Sequence, residues 1–294
     1  MSYDAGDYWD RRARRYGGMG EGHKAVCYVG DADWANAYVH SLQTKAVFSV
    51  LRVEPGMKLL DAGCGVGRWS LKFAELSASV SAFDISQEMI RIAARRAAQR
   101  GLSISFFVQA IEELDPDLEN SFDVVCIAVL QHITDPDMFQ VACHNLVKAA
   151  RPGGKILVLE YAGHRRLRGG ERSDHMAFRD RDTLVKVFER KGATLSSERG
   201  VRFMKLEECW RQLAGDFARR FLGYNDAASN VEILERASRG SITARIETLG
   251  FNLVRRFLFI VQWPADCFLS SLLTSRSYER VMIFEKRASN TRVQ

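Results

Sequence analysis

Between residues 55 and 160 the chain alternates short β-branched or aromatic runs with longer stretches whose apolar positions recur at helical spacing. The runs Lys58–Asp61, Val80–Asp84, Ile104–Val108, Phe122–Val129 and Lys155–Glu160 are continuous, as in strands buried on both faces. In Ser86–Arg100, Met89, Ile90, Ala93, Ala94 and Ala97 form one stripe behind Ser86 as N-cap. Asp135–Ala150 opens on Asp-Pro and gathers Phe139, Ala142, Leu146 and Val147 on one face. Pro55, Pro116, Pro136 and Pro152 fall between these elements. Such alternation predicts a parallel sheet with right-handed crossovers. Two more strands, at about Ala193–Phe203 and Arg280–Glu285, would complete it.

The flanks follow other patterns. Residues 1–40 hold Tyr3, Tyr8, Tyr16, Tyr28 and Tyr38 with Trp9 and Trp34 and no phenylalanine, which suits a partly wet, adaptable cap. Residues 205–273 repeat Leu206, Trp210, Leu213, Phe217 and Phe221 at helix spacing. The expected division is a cap over 1–40, a core over 41–203, a helical insertion over 204–277 that roofs a site or forms a subunit interface, and a last strand and tail over 278–294.

Composition narrows the class. Of 294 residues 47% are hydrophobic, far from the composition of disorder. The net charge of +6 is uneven: residues 1–159 carry 17 basic and 19 acidic side chains, so −2, and residues 160–294 carry 25 and 17, so +8. No basic run is dense or aromatic-interleaved enough to suggest DNA or RNA as a partner. The start lacks the apolar core of a secretory signal, and Phe251–Leu273 is broken by Arg255, Arg256, Pro264 and Asp266. Cysteines 27, 64, 126, 143, 209 and 267 form no Cys-x-x-Cys pair or zinc spacing. A cytoplasmic protein with reduced thiols and no metal is expected.

Leu59-Leu60-Asp61-Ala62-Gly63-Cys64-Gly65-Val66-Gly67 joins the first strand to a helix. Its glycines permit a sharp turn and close approach of backbone to a ligand, and the helix start offers free N–H groups. The spacing does not fit a dinucleotide fingerprint, whose third glycine would fall on Arg68 or Ser70, and there is no Gly-Lys-Ser/Thr ending. Asp84, ending the second strand, stands where a carboxylate accepts both hydroxyls of a ribose.

LLDAGCGVGRWS and FDIS, followed in order by VQAIEEL, FDVVCIAVLQHITDP and RPGGKILVLE, resemble the motifs of class I S-adenosylmethionine-dependent methyltransferases over roughly residues 50–205. The resemblance implies a Rossmann-like seven-stranded α/β sheet with helices on both faces, an N-terminal helical lid, and a helical insertion before the last strand. It implies S-adenosyl-L-methionine as cofactor and S-adenosyl-L-homocysteine as product. Gly63, Cys64 and Gly65 would pass the methionyl part, with Asp61 anchoring the loop or the amino group. Asp84 would bind the ribose, Ile85 would pack on the adenine, Gln109 and Ala110 would meet the adenine edge, and Ala128 would also belong to the cofactor site. Tyr16 would reach the cofactor from the lid.

Ile127-Ala128-Val129-Leu130 replaces the Asn/Asp-Pro-Pro-Tyr of enzymes that methylate planar amines, and no carboxylate cluster marks a magnesium site. Residues after the fourth and fifth strands border the acceptor in such a sheet. His132, His164 and Glu160 are therefore the candidate catalytic residues, each with a plain structural alternative: a carbonyl-bonded turn histidine, a solvated loop, and an arginine partner. The expected reaction is methyl transfer to an apolar or aromatic small molecule, such as a secondary metabolite, at C, N or O, by a homo-oligomer. One alternative is a peripheral-membrane enzyme acting on a lipid-linked acceptor, with Arg255 and Arg256 at an anionic interface. Another, from a different class, is a non-catalytic cofactor- or RNA-binding protein.

Overall fold

The computed structural model describes residues 4–18, 22–27, 33–162, 175–202, 260, 262–270, 272–277 and 279–288. Three helices precede the sheet: α1 (Ala5–Tyr16), the single turn α2 (His23–Val26) and α3 (Asp33–Val50). Then β1 (Lys58–Ala62), α4 (Arg68–Glu75), β2 (Ser79–Asp84), α5 (Gln87–Gln99), β3 (Ile104–Val108), β4 (Phe122–Ile127), α6 (Pro136–Ala149) and β5 (Ala150–Tyr161) follow. The order closes with α7 (Arg181–Arg190), β6 (Ala193–Arg202) and β7 (Glu279–Lys286).

The seven strands form one sheet in the order β3-β2-β1-β4-β5-β7-β6. β1 to β5 run parallel, whereas β7 lies antiparallel between β5 and β6. Strand alternation sorts the side chains into two layers. Val125, Ile127, Ile156, Val158, Met282 and Phe284 face α6 and α7, where Phe188 stacks on Phe284 at 4.5 Å. Val124, Cys126, Leu157, Leu159, Val281 and Ile283 face α3 and α4 through Leu42, Val47, Trp69 and Phe73. After β3 the chain returns to the far side of β1, so the crevice beyond the ends of β1 and β4 is the topological switch point where open α/β sheets hold ligands.

Two expectations change. α3 runs across the proposed boundary at residue 40 and packs under the sheet, so the cap is α1 and α2 alone. β5 starts at Ala150, five residues early, because Ala150 already pairs with Phe122 ahead of a register shift. β6 and β7 lie as predicted, and most of the helical insertion between them falls outside the described residues.

Candidate active site

An open cleft lies over the carboxyl ends of β1, β2 and β4. The loop after β1 forms its floor. Gly63 and Cys64 N–H groups both donate to the Phe83 carbonyl, at 2.8 and 2.9 Å, which folds the loop onto the end of β2. Gly63 and Gly65 have φ of +72° and +55°, and a Cβ on them would come within 2.4 Å of Val129 and 2.6 Å of Val26. Only glycine satisfies both the backbone angle and the space.

Asp61 is buried beneath the loop, accepting from Ser70 Oγ, and is not among the cleft-lining side chains. It ties β1 to α4. Asp84 does line the cleft. Its Oδ2 accepts from the Gly65 N–H at 2.8 Å and its Oδ1 from the Ser86 N–H at 2.9 Å, and the Ile85 N–H also bonds the carboxylate, which faces the cleft. Burial raises both carboxyls to about 6, against the pull of these hydrogen bonds. Each is ionised at neutral pH.

Helix α1 closes one side. Its Asp10 Oδ1 accepts from Ser86 Oγ at 2.5 Å and from the Glu88 N–H at 3.1 Å, docking it on the start of α5. Ala5 and Trp9, one turn apart, face the cleft. Tyr16 does not line it: it lies seven residues beyond Trp9, about 10 Å along the helix axis, and packs near Ala13, Val66, Met89 and Ile92. The lid aromatic at this wall is Trp9.

Cys64, Ile85, Gln109, Ala110 and Ala128 line the cleft with Gly63, Gly65 and Asp84. Gln109 Nε2 donates to the Glu113 carbonyl, which leaves its oxygen for an incoming donor. Burial pushes the Cys64 thiol up, so it is protonated and inert as a nucleophile.

Beyond β4, Leu130–His132 form a 3₁₀ turn at the opposite wall. His132 Nδ1 lies 3.0 Å from the His175 carbonyl, which only accepts, so Nδ1 carries the proton and Nε2 is the acceptor. Burial lowers this histidine to about 4, and the ring is neutral at pH 7. Trp9 meets it edge-on at 4.8 Å, and Gln131 Nε2 lies 3.3 Å from Nε2.

Glu160 sits under this turn rather than in the cleft. Its carboxyl group accepts the N–H of Leu130 at 2.6 Å and that of Gln131, while Arg179, on the ring face of Phe139 at 3.7 Å, donates to the carbonyls of Leu130 and Ile133 at 3.0 and 2.6 Å. Glu160 and Arg179 thus hold the N–H and C=O groups of the turn that carries His132. Arg179 gave no sequence signal, since it follows a stretch without periodicity. His164 lies outside the described residues.

Burial pushes Glu160 up to about 8 from 4.5. The unfolded chain therefore loses this proton first, and the contribution of Glu160 to stability falls as pH rises from about 4.5 to 8. Glu160→Ala should cost roughly 2–4 kcal/mol by stranding two buried N–H groups, and should flatten that decline. Urea unfolding at pH 5.5, 7 and 8.5 measures both; a wild-type slope in the variant contradicts the assignment.

The cleft fits an adenosyl-bearing ligand. The glycine floor leaves no room for a Cβ, Asp84 presents a paired acceptor for vicinal hydroxyls, and Ile85, Ala110 and Ile111 offer apolar surface to a flat ring. Among the described residues no group of three or more His, Cys, Asp or Glu side chains is arranged to hold a metal ion.

Comparison with known proteins agrees with this geometry. Residues 59–154 match the family model described as a methyltransferase domain. The ubiquinone biosynthesis O-methyltransferase of Xanthomonas axonopodis pv. citri (strain 306) is 35% identical over 131 residues, 44% of this chain and 54% of that protein. The chain spans about half the length of the curated relatives it matches. Among solved structures, the [4+2]-cyclase SpnF aligns with a TM-score of 0.53 at 20% identity over 88% of this chain and 84% of its own. The phosphoethanolamine N-methyltransferase 2 of Haemonchus contortus, in complex with S-adenosyl-L-methionine, aligns at 0.52 and 14% identity over 85% of this chain and 53% of its own. These two likenesses speak for the fold alone. Fold, cleft and the match over residues 59–154 agree on a methyltransferase domain within this chain.

Proposed function

We propose that this chain transfers the methyl group of S-adenosyl-L-methionine to a hydroxyl of an apolar or aromatic small molecule, such as a secondary metabolite. The observation that carries this reading is the pairing of the Asp84 and glycine-loop floor with a neutral His132 on the facing wall. The bound cofactor would supply an electrophilic methyl on a sulfonium. Asp84 and the loop would hold the adenosyl part, and Ile85 and Ala110 would take the ring. Trp9, Val129 and Ile133 exclude water and offer apolar surface to the acceptor. With the Gln131 amide displaced, His132 Nε2 would accept the acceptor's hydroxyl proton, its Nδ1–H held on the His175 carbonyl. The name of the relatives, O-methyltransferase, supports oxygen over carbon or nitrogen as the acceptor atom.

Radiolabelled methyl transfer to a panel of phenols, amines and carbon acids tests the reading; label that goes only to amines or carbon overturns the hydroxyl assignment. In that assay His132→Ala should lower kcat by about 10²–10⁴-fold with cofactor affinity retained. A kcat within a few-fold of wild type would remove His132 from the chemistry.

A second reading places the acceptor in a lipid. Ile260, Phe268 and Leu272 are all more than 60% exposed, and the relatives are named for ubiquinone biosynthesis. Among the described residues no helix is long and apolar enough to cross a membrane, so contact would be interfacial. Co-sedimentation with anionic vesicles, compared with an Arg255/Arg256→Glu variant, decides it: no binding by wild type removes this reading.

A further inference from the structure

A neutral His132 can take a proton only in the tautomer that leaves Nε2 bare, and two neighbours compete over that choice. The His175 carbonyl, 3.0 Å from Nδ1, favours the proton on Nδ1. Gln131 favours the opposite. Its amide nitrogen lies 3.3 Å from the ring Nε2, and its Oε1 is buried without a hydrogen-bond partner. Turned over, this amide would offer Oε1 to a protonated Nε2 and so satisfy an acceptor that is costly to leave orphaned. The inactive tautomer has a ready partner in the same turn.

What opposes it lies in the segment ahead of α7. His175, Ala177 and Arg179 all direct polar groups at the turn. The Ala177 N–H donates to the Gln131 carbonyl at 2.7 Å. Arg179 joins the two pieces of chain: Nη1 donates to the carbonyls of Leu130 at 3.0 Å and of Ala177 at 3.1 Å, and Nη2 donates to the carbonyl of Ile133 at 2.6 Å. One guanidinium thus bonds both ends of the turn and its own segment. Its carbon stands 3.7 Å from the centre of the Phe139 ring, a stacking contact that fixes its direction. Tyr8 of α1 stacks on the His175 ring at 5.1 Å and adds a further hold on the segment. The place of the His175 carbonyl beside Nδ1 is therefore set chiefly by Arg179. A planar fork of donors suits this task, and the point charge of a lysine does not.

We propose that Arg179 is a positioning residue for methyl transfer: it holds the His175–Arg179 segment against the turn, so that His132 keeps its proton on Nδ1 and presents a bare Nε2 to the acceptor. Without that hold, Nδ1 gives its proton to solvent and Nε2 takes one up, with no net change of charge. Gln131 Oε1 then accepts from the Nε2–H, and the ring can no longer take a proton there. The proposal rests on His132 being the base.

Nitrogen-15 NMR of the full chain with labelled histidine, at pH 7.5, tests it without any acceptor, since protonated and bare ring nitrogens differ widely in chemical shift. His132→Ala identifies the resonances. Wild type should show one tautomer, with Nδ1 protonated. Arg179→Gln should move both nitrogens toward the opposite tautomer. It should also lower kcat on the best phenol of the panel by about 10–100-fold, with KM and S-adenosylhomocysteine affinity unchanged. Arg179→Lys should recover part of both effects. Adding Gln131→Met to Arg179→Gln removes the competing acceptor and should return the shifts toward wild type. Thermal melts confirm folding. Should Arg179→Gln not fold, Ala177→Pro, which deletes the N–H that meets Gln131, carries the same expectation. A folded Arg179→Gln with wild-type nitrogen shifts overturns the proposal and leaves His132 as the base. A kcat loss matched by equal loss of S-adenosylhomocysteine affinity overturns it too, because it marks a merely structural role. A wild-type kcat in His132→Ala, or no phenol methylated by wild type, fails the base reading first, and the proposal falls with it.

Discussion

Asp84→Ala should weaken S-adenosylhomocysteine binding by roughly 100-fold or more. Two charge-assisted hydrogen bonds to ligand hydroxyls at about 1.5–3 kcal/mol each correspond to about 10²–10⁴ in affinity. The same carboxylate also holds the Gly65 and Ser86 N–H groups, so alanine loosens the floor as well. Asp84→Asn separates the effects, because it keeps one acceptor and removes the charge; an intermediate loss is expected. The wild-type pH profile offers an independent check. A ligand hydroxyl needs the ionised form as acceptor, and burial raises Asp84 to about 6. Affinity should therefore hold above pH 7 and fall as pH drops through 6, with the fall missing in Asp84→Asn. Calorimetric titrations at pH 5, 6, 7 and 8 show this directly.

Gly63→Ala is the second large effect. Its φ of +72° lies in the left-handed region, which costs an L-residue about 1–2 kcal/mol, and the added Cβ would stand 2.4 Å from Val129. Relief requires Val129 or the loop to move, at about 1–3 kcal/mol more. A total of about 2–5 kcal/mol is a large share of the stability of an ordinary domain. Because Val129 also lines the cleft, whatever yields to the new methyl reshapes the site. Urea unfolding should show the loss of stability and calorimetry the loss of binding; a wild-type midpoint with wild-type affinity would refute the tight floor.

The parts of the site legible in the sequence are those set by local chemistry. The glycine run, Asp84 at a strand end and Gln109 after the next strand are read from motif and spacing, and the fold brings them to one cleft. What escaped depends on contacts distant in the chain. Trp9 faces the cleft instead of Tyr16 because Asp10 docks α1 on α5, and the two aromatics share nearly the same face of one helix. Glu160 reads as a catalytic carboxylate from its place after β5, yet it is buried beneath a turn thirty residues earlier and accepts that turn's N–H groups. α3 was missed as a core helix because its polar residues are spread around it, and Gln43 is buried against Glu279, 236 residues away. The β7 strand was found from its apolar run, but its antiparallel insertion between β5 and β6 comes from topology rather than pattern.

The central claim is that this cleft holds the cofactor and delivers its methyl group. Calorimetric titration of the wild-type chain with S-adenosyl-L-homocysteine tests it most directly, with Asp84→Ala alongside. The account predicts one site per chain in the wild type and its near-complete loss in the variant. A flat wild-type titration, or binding that Asp84→Ala leaves unchanged, would contradict it.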